Sequence, residues 1–150
     1  MQSGGWLFFL LLAGIAGSLM AVQGSLNSLL GESIGLLYMS FAIHLLAVIT
    51  AGLLILFFPP PSDLIKKITA TPPYAWLGGP LGLAIVFGVA MSIPRLGVGV
   101  ATTGIIFFQL LTAYLIDHFG LFGQEHSPFT WIKSVGILLM VTGSYLLLKK

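Results

Sequence analysis

Polar side chains recur at helical spacing inside the long apolar runs of this sequence. Gln23 and Asn27 are four residues apart in the first run, and Ser40 and His44 are four residues apart in the second. Because residues three or four apart share one face of an α-helix, each pair is expected to project to one side. Amide, hydroxyl and imidazole groups exchange hydrogen bonds, which is the chemistry needed to bind a small polar or cationic substrate. The other predicted substrate-binding residues belong to a later run: Gln109, Thr112 and Asp117.

These polar residues also have a purely structural interpretation. An amide without a hydrogen bond in hydrocarbon costs about 4 to 8 kcal/mol on a scale where nothing can bond, so a polar partner is required either way. Polar contacts between membrane helices contribute roughly 0.6 to 2 kcal/mol each and can simply hold neighbours together. His44 lies near the middle of its run, where a charge would be costly. We therefore expect a neutral imidazole bonded to a neighbour, in preference to a proton carrier.

A second group of candidates, Asp117, His118, Glu125 and His126, invites a metal-site interpretation. Its spacing matches no standard ligand pattern, so the sequence predicts a solvated loop with no metal and no cofactor. The chain has no cysteine, which excludes thiolate catalysis and cysteine-ligated metals. Since no nucleophile is spaced to meet a base, an enzyme is the least supported function.

The composition indicates an all-α integral membrane protein. Of the 150 residues, 57% are hydrophobic and only 7% are charged, too few for a domain with a polar exterior. Six dispersed lysines and arginines do not form a nucleic-acid surface. No Lys or Arg precedes the first apolar core, and that core is longer than a signal peptide requires. We therefore expect this segment to be a retained span within one helical domain.

Apolar length and helix-breaking residues place five transmembrane helices. We expect Ser33 to cap the second helix, the prolines from Pro59 to Pro61 to end it, and Pro94 to open a tight turn. The longest connection contains an amphipathic segment, Leu64 to Ile68, that should contact lipid headgroups. The predicted spans are residues 6–28, 34–58, 76–93, 98–116 and 131–148.

The basic residues give no preferred orientation. An odd number of spans puts the two termini on opposite faces, and the Lys and Arg count is three against three. One face carries Lys66, Lys67 and Lys133, and the other carries Arg95, Lys149 and Lys150. Such balance predicts insertion both ways round, unless a partner or the insertion machinery imposes one orientation. Opposite copies could then pair as an antiparallel, dual-topology homodimer of ten helices, as inverted repeats do within one chain.

Several stretches resemble a known family over essentially the whole chain. They are AVQGSLNSLLGESIG at residues 21–35, GGPLG at 78–82, PRLG at 94–97 and FFQLLTAYLIDHFGLFG at 107–123. Together they resemble the small five-span, YdcZ-like inner-membrane proteins of the drug/metabolite transporter superfamily. The resemblance implies two inverted five-span copies that act in transport or export in a bacterial inner membrane. By position it makes Gln23, Asn27, Gln109 and Asp117 the polar lining.

The residues and the resemblance favour a secondary-active-type transporter or exporter that works by alternating access as an inverted homodimer. Related four-span exporters carry a glutamate deep in span one, where this chain has only apolar residues, so proton exchange at that position is not expected. Two alternatives stay open. A passive dual-topology channel would need a continuous wet pore. An accessory or scaffold subunit would use its polar residues only for packing.

Overall fold

Long α-helices with apolar surfaces make up most of the chain. The structure, a computed structural model, describes residues 3–148, with side chains from residue 5 onward. Within that range there are six α-helices and no β-strand. The helices are α1 (Ser3–Ile34), α2 (Leu36–Phe57), α3 (Leu64–Ala70), α4 (Gly78–Leu96), α5 (Val98–Phe119) and α6 (Trp131–Leu148).

Five helical segments are long and apolar enough to cross a membrane. They are Gly5–Ile34, Leu36–Phe57, Pro73–Leu96, Val98–Phe119 and Trp131–Leu148. The predicted all-helical class and the number of spans are therefore confirmed. Helix α3, with seven residues, is too short to span and coincides with the amphipathic segment that the sequence predicts.

Single glycines connect α1 to α2 and α4 to α5. Gly35 has φ 85° and ψ 147°, and Gly97 has φ 82° and ψ 156°. This region of backbone space is accessible essentially only to glycine. Each glycine therefore ends one helix and begins the next without any longer turn.

Two predicted helix ends are wrong for this reason. Helix α1 continues to Ile34 instead of ending at residue 28, and the Ser33 hydroxyl donates to the Leu29 carbonyl (2.9 Å) instead of capping α2. Helix α4 continues through Pro94 instead of turning there. A proline in the last turn removes only one intrahelical hydrogen bond, and a glycine with positive φ is the stronger stop signal.

Alanine substitution at Gly97 tests this backbone conformation. A Cβ at Gly97 or at Gly99 would meet no heavy atom within 4 Å, so the two positions differ in backbone conformation and not in space. Gly97→Ala should destabilise the protein by about 1 to 3 kcal/mol because of its positive φ. Gly99→Ala, inside α5, should be neutral or stabilising by up to ~1 kcal/mol. Thermal inactivation midpoints in mild detergent measure the difference, and equal midpoints would contradict the Gly97 geometry.

Backbone contacts divide the chain into two units, one ending at Pro94 and one starting at Arg95. In the first unit, small residues let α1 approach its neighbours closely. A Cβ on Gly24 would lie 2.9 Å from Val89 Cγ1, and one on Gly31 would lie 3.0 Å from Leu36 Cδ2. These contacts pack the second half of α1 against α4 and α2. In the second unit, α5 packs against α6.

Candidate functional site

The two predicted amides of α1 line one groove along that helix. Asn27 is only 7% exposed, whereas Gln23 is exposed. Neither amide forms a hydrogen bond within the described part of the chain. The groove is shallow, with a volume of about 460 Å³, and all of its lining comes from α1: Ala16, Leu19, Met20, Val22, Gln23, Leu26 and Asn27. The groove presents an apolar surface with a polar end that has no partner.

Ser40 and His44 of α2 lie at a cleft. The imidazole Nδ1 of His44 is 2.7 Å from the Ser40 carbonyl oxygen, which can only accept, so Nδ1–H donates. This is the neighbour bond that the sequence predicts for an interior histidine. Ser40 itself is fully buried, with its hydroxyl 3.9 Å from Met39 Sδ. The cleft, of about 550 Å³, is lined by Leu37, Ser40, Phe41 and His44 of α2 and by Gly79, Pro80 and Leu83 of α4.

The remaining predicted residues lie on α5. Gln109 is near the middle of this helix, and Gln109 and Thr112 are both exposed. Among residues 3–148 neither side chain has a hydrogen-bond partner. The backbone carbonyl of Asp117 accepts from Ser127 N–H (2.8 Å), while its half-buried carboxylate has no partner in the same range.

Most hydroxyls on the spans differ from these residues because they form hydrogen bonds within their own helix. Each donates to the carbonyl four residues earlier at 2.7 to 3.1 Å, a local bond that Ser and Thr form readily. The residues concerned are Ser18, Ser25, Thr50, Ser92, Thr103 and Thr142. The glutamines at 23 and 109 have no such bond. Their exposed amides are therefore among the groups on the spans that need a partner from outside one copy.

The connection between α5 and α6, residues 120–130, folds back onto the end of α5, and we call it the strap. Phe129 N–H donates to His118 Nδ1 at 3.2 Å. The His118 ring also lies 5.7 Å from the Phe129 ring and 6.0 Å from the His126 ring, between centroids. The strap is mostly exposed, as predicted for a solvated loop, but these contacts also order it against the end of α5. Within the described residues, no three His, Asp or Glu side chains converge as metal ligands would.

Lys133, in the first turn of α6, holds the strap from the other side. Its ammonium Nζ donates to Ser127 Oγ at 2.7 Å and to the Pro128 carbonyl at 3.2 Å. It also lies 5.8 Å from the centroid of the Tyr114 ring, within cation–π range. Sequence reasoning missed this role and counted Lys133 only as a flanking charge. Its position two residues after the start of a span was the available signal.

Removing the Lys133 ammonium should loosen the strap. A hydrogen bond from a charged donor contributes roughly 1.5 kcal/mol, so Lys133→Gln should speed hydrogen exchange at the Ser127 and Phe129 amides by about tenfold. Lys66→Gln removes an exposed lysine from α3 and is the matched control. Hydrogen–deuterium exchange mass spectrometry compares the two variants. Unchanged exchange in Lys133→Gln would show that the ammonium does not hold the strap.

These helices and their sparse polar groups define a multi-pass α-helical membrane protein. A family model described as "Putative inner membrane exporter, YdcZ" matches residues 8–146, and the chain belongs to this family. The protein is therefore a multi-pass inner-membrane protein of a transporter family, in agreement with the resemblance found in its motifs. The family description indicates transport in preference to catalysis. No curated protein and no solved structure matches the chain.

Proposed function

We propose that the protein exports a small polar or cationic molecule as an antiparallel homodimer that alternates access between the two sides of the membrane. The observation that carries this proposal is the pair of exposed amides, Gln23 and Gln109, that lack a hydrogen-bond partner in the described residues. Leaving such groups in lipid costs several kcal/mol, roughly 4 or more by transfer to hydrocarbon. A second copy supplies the polar surface that they require.

Inversion of the second copy places the polar residues at matching depths. Gln109 is central in its span, so it keeps its depth when a copy is inverted. Gln23 and Asn27 lie toward the end of the first span and Asp117 at the end of the fourth. Since successive spans cross in opposite directions, Asp117 is expected at the membrane face opposite to the two amides. In an inverted pair, Gln23 of one copy is therefore level with Asp117 of the other. The two Gln109 side chains meet at the midplane, where inverted-repeat transporters bind substrate.

The lining residues have different roles in substrate binding. Amides and the Thr112 hydroxyl supply donors and acceptors to a polar molecule. The carboxylate of Asp117 is placed to attract a cation or a proton at one cavity mouth, and the exposed Glu32 at the other. The even distribution of Lys and Arg between the two faces supports insertion in both orientations.

Native mass spectrometry from lipid nanodiscs tests the assembly. The expected species has twice the 16.0 kDa mass of one chain. Proteoliposomes then distinguish a transporter from a passive channel, since a transporter should show saturable uptake that depends on an opposing gradient. A monomer under all lipid conditions would contradict the proposal.

A further inference from the structure

We infer that the cleft between α2 and α4 binds a neutral amphiphile, a molecule with an apolar body and one hydrogen-bond donor that His44 Nε2 accepts. This inference rests on the proposed function only in making the ligand the cargo of the exporter. The cleft itself lies within the first unit of a single chain.

His44 lines the cleft, and its imidazole has a single acceptor atom. Its Nδ1–H donates a hydrogen bond to the Ser40 carbonyl at 2.7 Å. In a neutral ring the other nitrogen, Nε2, then carries no hydrogen and accepts. Nε2 has no partner among the residues that the structure describes. The Ser40 hydroxyl does not compete for a ligand, because Ser40 is fully buried.

The rest of the lining is apolar and uncharged. Leu37 and Phe41 face the cleft from α2, and Pro80 and Leu83 face it from α4. Among the described residues, no Asp or Glu lines the cleft, so a bound cation would be desolvated without a counter-charge. An alcohol, or another uncharged donor, does not incur this penalty. The cleft thus selects within the broad class of small polar or cationic molecules and favours the neutral ones.

The size of the cleft suits a small organic molecule. Its volume of about 550 Å³ lies within the range of roughly 300 to 1,000 Å³ for ligand pockets. Gly79 forms part of the wall, and a Cβ there would meet nothing within 4 Å. Larger side chains at Gly79 or Leu83 are therefore expected to fill the cleft from the α4 side.

Three matched probes test the chemistry by calorimetry on protein in nanodiscs, with empty nanodiscs as the blank. They are 4-phenylbutan-1-ol, its methyl ether, which lacks the donor, and 4-phenylbutylammonium, which carries a charge. Wild-type protein should bind the alcohol about tenfold more tightly than the ether, as expected for one lost hydrogen bond in an apolar site. The ammonium should also bind more weakly than the alcohol.

Variants locate the binding. His44→Leu should lower alcohol affinity to that of the ether and leave ether affinity unchanged, whereas His126→Leu, in the strap, should change neither. Leu83→Trp should abolish binding of both probes, and Gly79→Phe repeats this test if the first variant does not fold. Equal affinities of alcohol and ether, as for a lipid chain alone, would overturn the inference. So would binding that survives both cleft-filling variants.

The outcome is separable from that of the proposed function. Binding with the predicted selectivity by a monomer would support the cleft and contradict the dimer. A dual-topology dimer that binds none of the three probes would support the dimer and contradict ligand binding in the cleft.

Discussion

Transport by a Gln109→Ala variant is expected to fall by about 10- to 100-fold while the dimer stays assembled, since one hydrogen bond to a buried polar ligand is worth roughly 1 to 3 kcal/mol. Gln109 is exposed near the centre of α5 and has no partner in the described part of the chain. In the inverted dimer its amide lies at the midplane, where the substrate must pass in both access states. Alanine removes the amide and disturbs the helix little, because its helix propensity is high.

Electrical recording on supported membranes measures the effect, first with a panel of amines, alcohols and amino acids to find the wild-type substrates. The control is Gln124→Ala, which removes an exposed glutamine from the strap and should transport normally. Undiminished transport by Gln109→Ala would remove this residue from the site. If Gln109→Ala instead loses the dimer, the residue holds helices together, as in an accessory subunit.

Fixing the orientation of each copy should have an equally large effect. Lys66→Gln with Lys67→Gln leaves a count of one against three basic residues on the two faces, and Lys149→Gln with Lys150→Gln leaves three against one. Each pair of changes should fix the chain in one orientation, and the two pairs should fix opposite orientations. Either variant alone then lacks its inverted partner. Because unpaired chains leave polar amides in lipid, we expect several-fold lower abundance in the membrane and no dimer.

Co-expression provides the decisive comparison for this prediction. Together, the two variants should restore the dimer and its abundance to wild-type levels, with one copy of each in every dimer. Differently sized tags resolve the mixed dimer by native mass spectrometry. A stable dimer formed by one fixed variant alone would contradict the antiparallel arrangement.

The number of spans could be predicted from the sequence because a long apolar run is a local property of the chain. The positions of the helix ends were harder to predict from the sequence. Gly35 and Gly97 end helices through a positive φ, and the sequence pattern gave more weight to Ser33 and Pro94 as boundary signals. The bond from His44 to Ser40 was predictable in kind, since it joins residues one helical turn apart.

Contacts between distant residues were beyond sequence reasoning. Phe129 donates to His118 across eleven positions, and the spacing of the histidines alone gave no sign of the strap. The cleft joins Phe41 to Leu83 from helices far apart in the chain, and each residue by itself looks like an ordinary lipid-facing side chain. Contacts and clefts of this kind depend on tertiary structure, which periodicity does not encode.

Labelling of single cysteines from outside intact cells tests the inverted dimer most directly. The chain contains no cysteine, so Ser62→Cys in the longest connection and Ser33→Cys at the opposite face can each be introduced alone. Both positions are exposed. A membrane-impermeant maleimide should label about half of the molecules at each site if orientations are mixed. Labelling at only one of the two sites would show a single orientation and contradict the account.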